Sequence, residues 1–149
     1  MGRDLNETEG LENTKEASDC IFCKIISGEI PAVKLGEDDE HILILDQFPT
    51  VEGQALVITK QHYDSYVFDM PRVAYKQLML SAKKFGKYLD KGMRAERIIM
   101  VAEGLGVNHT HIKLYPVPEG FEGGITTQQG HKKTTEELNK IASKIKANS

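Results

Sequence analysis

Residues 108–116 read NHTHIKLYP, and two of the five histidines in this 149-residue chain stand here, two positions apart. Strand alternation sets His109, His111, Lys113 and Tyr115 on one face and Thr110, Ile112 and Leu114 on the other. Same-face neighbours on a strand stand about 6.6–7 Å apart, a spacing that suits groups acting on adjacent atoms. The plainer alternative is a half-buried strand whose polar side meets water. Which reading holds depends on what the rest of the chain brings to this strand.

Outward from that stretch, residues 33–35, 41–45, 55–59 and 97–102 read as further strands, with 109–117 the last. Turn-rich GEDDE and DQFPTVEGQ separate the earlier ones. Between the third and fourth lies the longest helical segment, PRVAYKQLMLSAKKFGKYLDK, with Pro71 suited to its first turn. Ala74, Leu78, Ala82, Phe85 and Leu89 recur on one side of it, and its lysines read as a solvated face. After a Gly-rich loop over 118–133, Thr134 and Glu137 have capping-box spacing ahead of a helix with Leu138, Ile141, Ala142 and Ile145 on one side. Strands in sequence around one long helix imply an α+β fold with a mostly antiparallel sheet, and exclude the strand–helix alternation of a Rossmann order.

Composition sets the outer bounds. Forty per cent hydrophobic and 28% charged residues describe one globular domain with one core. A net charge of −3 gives no electrostatic reason to bind nucleic acid or membranes. No apolar run approaches the ~20 residues of a membrane span. Residues 1–17 are polar and are expected to be a disordered tail without a secretory signal, leaving 18–149 as the domain and a reducing, cytoplasmic setting as the expectation. His41 and His131 are expected at the surface.

CIFCKIISGEIPA opens the folded part, with Ser18 or Asp19 available to cap a short helix presenting Ile21, Phe22, Ile25 and Ile26. Its CxxC supplies two thiolates, and a zinc site needs two more N or S donors, for which His62 and His109 are the natural candidates. A redox CxxC and two unrelated helical cysteines are the other readings, the first weakened by the lack of a βαβ pattern.

Three stretches, CIFCKIISGEIPA, LDQFPTVEGQALVITKQH and HTHIKLYP, resemble in order the landmarks of the histidine triad (HIT) superfamily, over roughly residues 18–117. The C-terminal helix resembles that of the bacterial-type members. The resemblance implies a nucleotide-binding α+β domain, commonly a homodimer, acting on AMP-containing or related nucleotides. In it, the middle histidine of the triad, here His111, attacks the α-phosphorus to form a nucleotidyl-histidine. It also implies Cys20, Cys23, His62 and His109 as ligands of a structural zinc ion, and Asp46 as the carboxylate that holds the ribose hydroxyls. Ile21, Phe22, Ile25 and Ile44 would line the base pocket, with plain core packing as their alternative.

One departure stands out. Lys113 occupies the position of the usual third histidine, and GLGVN replaces the family's phosphate-facing segment, so that Asn108 and the Gly106 and Val107 amides are left to serve the phosphate. Lysine supplies a fixed cation that can stabilise developing negative charge, and as a like charge it favours the neutral imidazole that a nucleophile requires. It is a poor proton shuttle near neutral pH. The expected activity is therefore hydrolysis at the α-phosphate of dinucleoside polyphosphates or related nucleotidyl compounds. The alternatives are a nucleotide-binding scaffold without turnover and a nucleotidyltransferase to an acceptor other than water.

Overall fold

A computed structural model describes residues 19–125 and 130–149 of the chain. The expected tail over 1–17, Ser18 and part of the Gly-rich loop lie outside the described residues. Five strands form one sheet: β1 (Lys34–Glu37), β2 (His41–Leu45), β3 (Ala55–Thr59), β4 (Arg97–Val101) and β5 (His111–Val117). Every neighbouring pair is antiparallel, and the order is β1-β2-β3-β5-β4. The elements that border the sheet include α1 (Ile21–Ile26), α2 (Arg72–Met93) and α3 (Thr135–Asn148), with a 3₁₀ turn at Val67–Asp69. This is the α+β architecture anticipated from the order of elements.

The sheet is covered on both sides, which explains why β2 and β3 read as unbroken apolar runs, HILIL and ALVIT, rather than as alternating ones. On one side Leu43, Leu45, Ala55, Val57, Ile112 and Leu114 pack with Leu78, Ala82, Phe85 and Leu89 of α2 and Leu138, Ile141 and Ile145 of α3. Each large aliphatic side chain buried there contributes about 1.5–3 kcal/mol. On the other side Ile42, Ile44, Leu56 and Ile58 meet Cys20 and Phe22 at the start of α1.

Local rules account for the helix ends. Thr134 and Glu137 form the full reciprocal capping box of α3. Pro71 is the N-cap of α2, one position outside the first turn, and Arg94 in the left-handed region ends that helix. The cap of α1 is Cys20 rather than Asp19, its sulfur accepting from the Cys23 N–H. β1 lies one to two residues later than the alternation suggested, and β5 begins at His111 rather than at His109.

His41 corrects the surface expectation. It is 2% exposed, and its Nδ1 lies 2.9 Å from both Asp38 and the Ser81 hydroxyl, which ties the β1–β2 turn to α2. A strand covered on both sides has no outward face to offer its first residue. Among the described residues, no helix is long and apolar enough to cross a membrane.

Candidate active site and metal centre

β-Register builds the floor of the site. Ile58 of β3 stands opposite His111 of β5, and Leu56 opposite Lys113, while Ile44 of β2 stands opposite Leu56. α1 lies over this face, and a cavity of about 520 Å³ opens between them. Ile21, Phe22, Ile25, Ile44, Asp46, His111 and Lys113 all line it, together with Gly106 and Val107. The four apolar residues, the carboxylate and the two β5 residues singled out by sequence are thus brought to one cavity.

His111 is held in a defined tautomer. Its Nδ1 lies 2.6 Å from the His109 carbonyl, which can only accept, so Nδ1 carries the proton. Nε2 is left with a lone pair, the form a nucleophile needs. Burial lowers the pKa of this imidazole, and the charge of Lys113 lowers it further, against the carbonyl contact and the Asp46 and Glu103 charges, which raise it. The Phe22 ring meets His111 edge-on at 4.9 Å and screens one side of it from water.

Lys113 is not a free cation. Its Nζ is 3.3 Å from Glu103 Oε1, and Glu103 also lines the cavity. Glu103 stands just before GLGVN and was not singled out in the sequence; only its position ahead of the altered segment could have flagged it. Asn108 is directed elsewhere: its Oδ1 accepts from the Ser65 N–H at 2.9 Å and its Nδ2 donates to Asp64 at 3.2 Å. It pins two loops together, and Gly106 and Val107 are left as the members of that segment at the cavity.

Asp46 is partly buried and doubly tied, accepting from the Phe48 N–H at Oδ1 and from the Gln54 amide at Oδ2. Gln54, another residue that spacing did not reveal, is 3% exposed. Tyr115 completes the β5 row in the cavity, and burial, followed by the Asp46 and Glu103 charges, pushes its phenol up to about 12.

Beside the cavity the donor atoms of Cys20, Cys23, His62 and His109 all lie within 4.8 Å of one another. Cys20 Sγ is 3.2 Å from His109 Nδ1, Cys23 Sγ is 3.4 Å from His62 Nδ1, and the two Nδ1 atoms are 3.2 Å apart. A tetrahedral ion with ordinary zinc bond lengths requires edges of about 3.4 Å between nitrogens and about 3.6 Å between sulfur and nitrogen. The four donors therefore fit one ion. His109 is oriented for it, since its Nε2 donates to the Thr59 carbonyl at 2.7 Å and Nδ1 keeps a lone pair. Burial holds the His109 imidazole down at about 4 and pushes the Cys23 thiol up to about 11, with Cys20 adding to the latter. A cation among the donors would reverse the thiol's preference and match the neutral imidazole.

Comparison with known proteins places the chain in a family. Residues 27–117 match the model of the HIT domain. The chain is 33% identical over 121 residues to an adenylylsulfatase of Arabidopsis thaliana, covering 73% of this chain and 57% of that enzyme. It is 31% identical over 133 residues to an adenosine 5'-monophosphoramidase of Saccharomyces cerevisiae, covering 86% of this chain and 81% of the relative. A HIT-like protein of Bartonella henselae, described as involved in cell-cycle regulation and crystallised with an unknown ligand, superposes with a TM-score of 0.76. That structure is 29% identical and covers 89% of this chain and 97% of its own. The chain belongs to the HIT domain family.

Proposed function

We propose that this protein hydrolyses nucleotidyl compounds at the α-phosphate through a covalent nucleotidyl-His111 intermediate. The observation that carries the reading is His111 itself: Nδ1 is tied to the His109 carbonyl, and the ring lines a cavity beside Lys113. Nε2 attacks phosphorus, a P–N bond forms, and the leaving group departs with its electron pair. Water then attacks the same phosphorus, a P–O bond forms as the P–N bond breaks, the water's proton passes to solvent, and the imidazole returns neutral. Lys113 holds phosphate oxygens, Asp46 the ribose hydroxyls, and Ile21, Phe22, Ile25 and Ile44 the base.

Cys20, Cys23, His62 and His109 would hold a structural zinc ion, all four positions being filled by protein. It supplies rigidity rather than a reactive water. A homodimer is part of the same reading, and β4 forms an edge of the sheet.

Leaving-group preference follows from Lys113. A departing amine needs a proton, which lysine gives up poorly near neutral pH, whereas a polyphosphate or sulfate leaves as an anion. The expected preference is for anhydrides over phosphoramidates. That runs with the activity in the plant relative's name and against that in the yeast relative's. A second reading, a nucleotide binder without turnover, is favoured by the Glu103 partner, which occupies the cation intended for phosphate. A transferase to another acceptor would use the same His111 chemistry.

The test is release of AMP from diadenosine tetraphosphate and from adenosine 5'-phosphoramidate side by side, with His111→Ala as the blank. His111-dependent release, faster from the tetraphosphate, supports the proposal. Equal or faster turnover of the amidate defeats the lysine argument. AMP binding without release from either substrate moves the protein to the binder or transferase reading.

A further inference from the structure

Asp46 makes contacts that leave its carboxylate only one orientation. Oδ1 accepts from the Phe48 N–H at 2.8 Å and Oδ2 from Gln54 Nε2 at 2.7 Å. Gln54 is in turn fixed at its other end. Its Oε1 accepts from both the Thr50 N–H, at 2.8 Å, and the Thr50 hydroxyl, at 3.1 Å. A backbone N–H requires an acceptor and a carboxylate requires a donor, so this amide can face only one way. The backbone adds two ties across the same loop, Asp46 N–H to the Gln54 carbonyl and Gln54 N–H to the Val51 carbonyl. Asp46, Thr50 and Gln54 all border the cavity.

With each carboxylate oxygen holding one protein donor, each keeps acceptor capacity for one more. Two acceptors on a fixed plane suit a pair of neighbouring hydroxyls better than a single one. We infer that Gln54 is a specificity-determining positioning residue: by locking Asp46 it makes the site select a ribose diol over a 2'-deoxyribose. The inference rests on the nucleotide reading above and deepens it. Gln54 acts through Asp46 and does not itself touch the sugar. Free to rotate, Asp46 would meet a lone 3'-hydroxyl as well as a diol, and the discrimination would go with the lock.

Binding of AMP and of 2'-deoxy-AMP to the full chain, measured by calorimetry, tests this in wild type, Gln54→Met, Gln54→Glu and Asp46→Asn, with thermal melting to report folding. A hydrogen bond to a charged group leads us to expect a wild-type preference for AMP of about tenfold or more. Gln54→Met keeps the length of the side chain and removes both polar ends. Gln54→Glu keeps the shape and replaces the donor to Asp46 with an acceptor, which safeguards the test against a variant that fails to fold. In either variant the preference should fall to about twofold through weaker AMP binding, with 2'-deoxy-AMP unchanged. A ratio unaltered in both Gln54 variants but lost in Asp46→Asn overturns the inference and leaves the nucleotide reading standing. No AMP binding in wild type, or a ratio indifferent to Asp46→Asn, removes the nucleotide reading and this inference together.

Discussion

Replacing Glu103 with glutamine probes the cation of the site without touching it. Lys113 Nζ sits 3.3 Å from Glu103 Oε1. A phosphate oxygen bound to the far side of that ammonium would lie about 6 Å from the carboxylate, given a charge-assisted contact of ~2.8 Å. Two unit charges at that distance repel by about 0.7 kcal/mol in bulk water and about 3 kcal/mol at an effective dielectric constant of ~20. The lysine and glutamate side chains are 25% and 38% exposed, which places the cost near the lower end, at about 1 kcal/mol in all. Glu103→Gln should therefore bind AMP about five- to tenfold more tightly than wild type in dilute buffer. Because the Debye length shrinks below ~6 Å at a few tenths molar salt, the gain should fall to about twofold there. Calorimetric titration at about 20 mM and about 300 mM salt reads both numbers. Equal or weaker binding by the variant at low salt would refute the view that Glu103 and the substrate compete for one cation.

Two glycines of α2 should respond in opposite directions to the same change. Gly86→Ala adds a methyl into open space and should raise the melting temperature, alanine being better than glycine in a helix by about 1 kcal/mol. At Gly92 a new Cβ would stand 2.9 Å from the Ile145 carbonyl oxygen, against backbone that cannot yield cheaply, so a net loss of up to ~2 kcal/mol is expected in a denaturant titration. Burial works to raise the Asp38 carboxyl, but hydrogen bonds from the Ser81 hydroxyl, the Glu40 N–H and His41 outweigh it and leave the pKa below the usual range. A folded-state pKa below the unfolded one gives stability that is present above about pH 4 and lost as the pH falls through the folded value. Melting curves of Asp38→Asn should thus start lower at neutral pH and decline less steeply in acid than those of wild type. Chelation should lower the melting temperature of wild type, and Cys23→Ser should melt lower and respond less to chelator; identical melting with and without chelator would count against a structural ion.

Much of this was readable from residues whose signal is local. The α2 stripe, the capping box of α3 and the apolar runs of β2 and β3 follow from periodicity and hydrogen-bond chemistry within a few positions. The CxxC and the His109–His111 pair announced themselves by spacing, and the chemistry of zinc pointed from Cys20 and Cys23 to His62 and His109 as candidates, which the resemblance then implied as a set. Long-range partnerships were not legible. The burial of His41 depends on Ser81 of a helix 40 positions away. The Lys113–Glu103 pair depends on how a glycine-containing loop folds back beside β5, and Gln54 on the path of the loop between β2 and β3. Asn108 carried the right chemistry for phosphate and found Ser65 and Asp64 instead. An amide says what it can bond, and only the fold decides to whom.

The six residues of α1 are far too few to hold a helix in water by themselves. Cys20 and Cys23 fasten this segment to His62 and His109 on one side, while Ile21 and Ile25 roof the cavity on the other. Phe22 lies between, its ring edge-on to both His109 and His111. An ion that steadies this one turn and a half of helix would also steady the roof of the proposed nucleotide site. Thermodynamic reciprocity then demands the converse, that nucleotide tighten the ion by the same factor. In such a protein, metal scarcity would register first as a drop in nucleotide affinity, and a saturating nucleotide would keep the ion from being withdrawn.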